Sequence, residues 1–180
     1  MEYFGTGQLL RASIPANMGI PPYLAAFPET MPAHVWFFAY GSNMSRAQTR
    51  SRAGEIAEEQ VGKLENYEIV FDKKARGGSA TANIHPASGK NVYGVLYRIP
   101  EPALRSLDRF QGAPQHYRRI EVNVTGADGN KIPAQAYIAT KVEKGLRPAG
   151  HYLQSILDAA AERNLPAEYV EELRATAGAA

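Results

Sequence analysis

Strand-length segments in which apolar and polar residues alternate constrain the fold of this chain more than any other feature. The apolar side chains of Ile120, Val122 and Val124 alternate with charged or polar neighbours, which is typical of a strand with one buried face. Residues 125–130 form a strong turn sequence, and residues 134–139 can return antiparallel to the first strand. This pair predicts a β-hairpin in the second half of the chain.

Further strands are predicted in the first half of the chain. Residues 35–40 form an apolar and aromatic run typical of a buried strand, and residues 64–71 alternate apolar with polar side chains. Residues 80–85 and 92–99 flank the turn sequence at residues 86–89, which predicts a second hairpin.

Helical segments lie between these strands rather than alternating regularly with them. A short helix is predicted at residues 44–53, and another near residues 100–110, where Leu104, Leu107 and Phe110 are placed on one face. Two more helices are predicted, at residues 149–163 and from Pro166 onward. The predicted fold class is therefore α+β, with a mixed or antiparallel, barrel-like sheet of five or six strands and flanking helices.

Residues 1–34 differ from the rest, because prolines interrupt every regular element there: Pro15, Pro21, Pro22, Pro28 and Pro32. The apolar residues of this segment predict an arm that packs on the domain or on a neighbouring subunit, where it could form a homodimer. The alternative is a partly disordered extension. We divide the chain into this arm and one domain at residues 35–180, and a protein that acts through the arm is one hypothesis for function.

Composition excludes several classes of function. The chain of 180 residues contains no cysteine, which excludes disulfides, thiolate metal ligands and a cysteine nucleophile, and fits a cytoplasmic location. The net charge is +2 without a basic stripe, so no nucleic-acid partner is expected. No apolar run reaches the ~20 residues needed to span a bilayer, and no membrane partner is expected.

The turn after the first strand is the strongest candidate site. A strand that ends in Gly-Ser-Asn and enters a helix presents backbone N–H groups that suit an anion or an oxyanion. On spacing alone, an ordinary turn capped by its own polar side chains is the favoured interpretation. The candidate binding residues here are Phe38, Ala39, Tyr40, Gly41, Ser42 and Asn43.

Other polar residues are weaker candidates. Arg46, Arg50 and Arg52 could attract a substrate carboxylate, but we interpret them as solvated helix arginines. The four histidines lack the spacing of a metal site, and residues 76–79 are interpreted as a connection rather than a phosphate loop.

Several motifs follow one another in a specific order: the sequence FAYGSNM at residues 38–44, then the segments at 92–97, 107–112, 117–122 and 148–173. In this order they resemble the gamma-glutamylcyclotransferase family, and the resemblance covers roughly residues 35–176. It implies an enzyme without cofactor or metal, whose partner is a small gamma-glutamyl substrate. In such enzymes the α-amino group of the substrate attacks its own γ-carbonyl, which releases the amine and forms 5-oxoproline.

The resemblance also implies residue roles. The turn at residues 40–43 binds the glutamyl group and stabilises charge on oxygen, while Tyr117 orients a catalytic glutamate and Tyr152 lines the glutamyl pocket. The chain departs from the family at that glutamate, where it has Gln111, which cannot accept a proton at neutral pH.

Three interpretations of Gln111 are open. The change is engineered to trap a ligand, or the chain is a natural member with weak or no activity that serves as a binding module. In the third, another carboxylate takes over, such as Glu101, Glu121 or Glu143.

Overall fold

The computed structural model describes residues 32–179. The predicted arm therefore lies outside the described residues except at its last positions. Five strands are present: β1 His34–Ala39, β2 Glu58–Lys74, β3 Ala80–Pro100, β4 Tyr117–Thr125 and β5 Lys131–Ala139. Four α-helices accompany them, α1 Arg46–Ala53, α2 Ala103–Gln111, α3 Gly150–Glu162 and α4 Ala167–Ala179, with one 3₁₀ turn at Ser42–Met44.

The five strands close into a barrel in the order β1-β3-β2-β4-β5. Strand β1 runs antiparallel to β3 and parallel to β5, where Phe37 pairs with Gln135. The predicted α+β class with a mixed, barrel-like sheet is confirmed. Closure removes the free sheet edges, and it surrounds a core that includes Phe38, Leu96 and Val124.

The hairpin predicted around residues 86–89 is wrong. Strand β3 continues through this segment, and both of its halves pair with β2: Pro86 lies opposite Tyr67, and Asn91 lies opposite Glu65. The intervening residues bulge out against Asn66, whose side-chain oxygen accepts a hydrogen bond from the Gly89 N–H at 3.1 Å. Residues 86–89 do bend the chain, but they form an irregularity within the β2–β3 ladder and do not reverse the direction of the strand.

Helix α2 departs from its predicted buried face at one residue. Leu104 and Leu107 are buried, whereas the side chain of Phe110 is 61% exposed. Steps of three residues drift backwards by about 60° each on a helix of 3.6 residues per turn, so Phe110 lies well away from Leu104 around the axis. Gly112 ends the helix in the left-handed conformation, with φ of 62°.

The elements around the turn after β1 are held by caps and packing. The Ser45 side chain accepts a hydrogen bond from the Gln48 N–H and caps α1. Helix α1 packs on α2, and α3 packs on the 3₁₀ turn. Among residues 32–179, no helix is long and apolar enough to cross a membrane.

Candidate active site

A cavity of about 690 Å³ opens at the C-terminal end of β1. The rest of its lining comes from α1, the hairpin end of β2 and β3, the C-terminal end of α2, the start of β4, Tyr137 of β5 and the first turns of α3. The cavity is lined by every site residue proposed from the sequence: Phe38, Ala39, Tyr40, Gly41, Ser42, Asn43, Gln111, Tyr117 and Tyr152. Residues far apart in the chain thus line one cavity.

The turn after β1 leaves backbone donors at the cavity wall. The N–H groups of Met44 and Ser45 donate to the carbonyl oxygens of Gly41 and Ser42. Within residues 32–179, by contrast, the N–H groups of Gly41 and Asn43 have no acceptor. Free N–H groups in such a turn can bind a carboxylate or an oxyanion.

Asn43 is fixed by two strong contacts from α1. Its side-chain oxygen accepts a hydrogen bond from Arg52 Nη1 at 2.6 Å, and its carbonyl oxygen accepts one from Thr49 Oγ1 at 2.6 Å. Arg52 is half-buried and lines the cavity, so its interpretation as a solvated helix arginine is wrong. Arg46 does lie apart from the cavity, in an ion pair with Glu59.

Tyr152 connects α3 to the opposite wall. Its hydroxyl oxygen accepts a hydrogen bond from the Ala82 N–H at 3.0 Å. Burial raises the pKa of Tyr152, although hydrogen bonds from Ala82 and Ser42 act in the opposite direction. A Cβ atom at Gly41 would lie 3.4 Å from this hydroxyl and 3.3 Å from Ala82 Cβ, so glycine keeps this corner of the cavity open.

Two further tyrosine hydroxyls donate hydrogen bonds to backbone carbonyl oxygens. The Tyr117 hydroxyl donates to the Ala82 oxygen at 2.9 Å and also contacts Thr81 Oγ1 at 2.9 Å. The Tyr40 hydroxyl donates to the carbonyl oxygen of Tyr137. Burial raises the pKa of both phenols, so they remain protonated at neutral pH and act as hydrogen-bonding groups rather than bases.

Gln111 is the last residue of α2 and lines the cavity half-buried. No described residue forms a hydrogen bond with its side chain, so the amide is available to a ligand. No Asp or Glu occurs among the described residues that line the cavity. Glu143 instead pairs with Lys74 at 3.0 Å, and Glu101 and Glu121 are exposed elsewhere. None of these three glutamates therefore lines the cavity beside Gln111.

Several lining residues were missed by sequence reasoning. Their common feature is positive charge or an aromatic ring: Lys73, Lys74, Arg109, Phe110 and His151. They come from three separate elements, and their local sequences carry no distinctive motif. Only the register of β2 against β3, which places Lys73 opposite Thr81, could have indicated Lys73.

Comparison with known proteins adds independent information. Residues 91–173 match the model of the AIG2-like family. Over 145 residues the chain is 32% identical to a human protein named gamma-glutamylcyclotransferase, with 77% of each chain covered. A mouse protein of the same name is 31% identical, again over 77% of each chain. The fold matches a solved structure titled gamma-glutamyl cyclotransferase, with a TM-score of 0.74 and 30% sequence identity. The match covers 79% of this chain and 88% of the solved chain.

Proposed function

Because this chain belongs to the gamma-glutamylcyclotransferase family and is an enzyme of that type, we propose that it cyclises a gamma-glutamyl compound to 5-oxoproline and releases the amine half. The observation that carries this proposal is the turn at residues 40–43, with two N–H groups free at the wall of the cavity that also holds Gln111.

The turn binds the glutamyl group. The N–H groups of Gly41 and Asn43 donate to oxygen, either the α-carboxylate in the bound substrate or the γ-oxygen as it gains negative charge. Arg52 holds Asn43 in place and adds positive charge on the same side. Tyr152 lines the pocket beside Gly41, and Tyr117 supports the wall at Ala82.

The chemistry is an intramolecular transfer. The α-amino nitrogen forms a new bond to the γ-carbonyl carbon, the original amide C–N bond breaks, and the two protons lost by the α-ammonium are transferred to the leaving amine, which departs as an ammonium. Holding the glutamyl chain in a folded conformation removes much of the entropic barrier. A carboxylate at position 111 would carry the proton, but the Gln111 amide cannot. We therefore expect turnover ~10²–10⁴-fold below that of a chain with an acid there.

Restoring the acid tests this proposal. The variant Gln111→Glu should form 5-oxoproline from a panel of gamma-glutamyl amines and amino acids, as measured by mass spectrometry, and should exceed the unmodified chain by that factor. Gln115→Glu is the matched control, since Gln115 is exposed in the loop after α2 and does not line the cavity. If Gln111→Glu forms no 5-oxoproline from any member of the panel, the proposed reaction is wrong.

A second candidate function is a non-catalytic binding module for gamma-glutamyl or related small molecules. It is favoured by Gln111 itself, together with the lack of a described carboxylate in the cavity lining. In this case the unmodified chain should bind gamma-glutamyl compounds in calorimetry without consuming them. Turnover of these compounds by the unmodified chain, with Gln111 in place, would contradict the binding-module interpretation.

A further inference from the structure

Lys73 is an unusual residue in the cavity wall. Its side chain is only 8% exposed, although lysine is rarely buried without a partner. The ammonium group donates to the Lys74 carbonyl oxygen at 2.6 Å and lies 5.9 Å from the centre of the Tyr117 ring. No carboxylate in residues 32–179 pairs with it. Burial lowers the pKa of Lys73, so the protein as it stands does not compensate its charge.

A buried cation without a counter-ion is costly, because it has lost part of its hydration and gained no opposite charge. A second cation of low exposure does have a carboxylate partner: the Arg163 side chain, at the end of α3, is 15% exposed and pairs with Glu59 at 2.9 Å. Lys73 lines the cavity. A ligand bound in the cavity can therefore supply the counter-ion that the described residues do not.

The whole cavity shares this excess of positive charge. Its lining contains five Lys and Arg side chains and no Asp or Glu among the described residues: Arg52, Lys73, Lys74, Arg76 and Arg109. Of these five, only Lys74 pairs with a carboxylate within residues 32–179. The glutamyl half of a substrate cannot balance this excess, because its α-ammonium and α-carboxylate cancel. The balancing negative charge has to come from the amine half.

We propose that Lys73, with Arg76 and Arg109, forms a subsite for acidic groups on the amine half, and that the preferred ligands are gamma-glutamyl derivatives of dicarboxylic amino acids. This inference rests on the proposed function and specifies its substrate class. An ordinary amino acid brings one carboxylate to this subsite, whereas a dicarboxylic one brings two. The second carboxylate neutralises the buried ammonium of Lys73 while the first faces the exposed arginines.

An isosteric pair of ligands tests the subsite. Gamma-glutamylglutamate and gamma-glutamylglutamine have the same size and differ by one negative charge. In calorimetry at low salt, the unmodified chain should bind gamma-glutamylglutamate roughly ten-fold more tightly than gamma-glutamylglutamine. Added salt should bring the ratio of the two affinities closer to one. Lys73→Met should reduce the ratio to near one, while Lys90→Met, a lysine of β3 that pairs with Glu172 outside the cavity, should leave it unchanged.

Lys73→Arg separates charge recognition from proton transfer, since arginine keeps the charge but does not release its proton. This variant should retain most of the preference, and its loss would overturn the subsite. Equal binding of both ligands by the unmodified chain would also overturn it, whether or not Lys73→Met folds. In that case the proposed reaction still stands if Gln111→Glu forms 5-oxoproline from either ligand. If Gln111→Glu forms no 5-oxoproline from any member of the wider panel, the proposed reaction is wrong.

Discussion

Arg52 Nη1 donates to the Asn43 side-chain oxygen at 2.6 Å, and this contact links helix α1 to the turn that offers its N–H groups to the cavity. The guanidinium also lies 5.6 Å from the centre of the Phe110 ring. One side chain therefore spans the turn after β1 and the end of α2. Hydrogen bonds from a charged donor are stronger than neutral ones, so Arg52 holds the turn after β1 in one conformation.

Arg52→Ala should accordingly weaken the binding of gamma-glutamyl ligands by ~10-fold or more, because a charged hydrogen bond contributes about 1.5–3 kcal/mol. Calorimetry with one gamma-glutamyl ligand checks this. Arg46→Ala is the control, since Arg46 lies on the same helix but pairs with Glu59 away from the cavity. Equal losses in the two variants would contradict a specific role for Arg52.

Gly41→Ala should reduce ligand binding. The added methyl group would contact Ala82 at 3.3 Å and the Tyr152 hydroxyl at 3.4 Å, so it occupies the corner of the cavity that the ligand needs. Gly77→Ala is the matched control, because nothing lies within 4 Å of a Cβ atom there. Calorimetry and thermal unfolding of both variants give the comparison. Unchanged binding by Gly41→Ala would show that this corner is not used.

Gly112→Ala should lower the free energy of unfolding by about 1–3 kcal/mol. Two causes combine, since φ is 62° and the new Cβ atom would lie 2.6 Å from His116 Cδ2. Gly129→Ala has a φ of 82° but open space around its Cβ atom, so it isolates the conformational cost. Urea unfolding should rank Gly112→Ala as the more damaging change. The reverse order would mean that His116 moves aside freely.

Alkaline pH should destabilise the fold through buried tyrosines. Burial raises the pKa of Tyr97 from its ordinary value of 10.0 to about 12, and its hydroxyl donates to the Met44 carbonyl oxygen at 2.6 Å. The folded state thus binds this proton more tightly than the unfolded state. The stabilisation is complete below pH 10 and is lost as the pH rises towards 12.

Unfolding measured from pH 8 to pH 12 checks this prediction. Tyr97→Phe should be less stable than the unmodified chain at pH 8 and should lose less stability above pH 10. Tyr93→Phe is the control, since Tyr93 lies on the same strand but is partly exposed. Identical pH profiles for Tyr97→Phe and the unmodified chain would contradict it.

Much of this protein could be read from its sequence by local rules. Alternating side chains indicated β4 and β5, and Gly112 marked the end of α2, because strand faces, turns and helix ends depend on a few neighbouring residues. The error at residues 86–89 has the same origin. A turn sequence shows that the chain can bend, but only the partner strand β2 decides whether it reverses direction.

The candidate site divides in the same way. The motif at residues 38–44 could be recognised because it is a short contiguous sequence, and Gln111 because it lies in the short segment at residues 107–112. The positive charge of the cavity was not, because Arg52, Lys73 and Arg109 belong to three elements that only the closed barrel brings together. Burial without a counter-ion is likewise a property of the packed structure, since it depends on what surrounds a side chain in space. Sequence alone thus determined the family and the turn after β1, while tertiary structure decided which charges line the cavity.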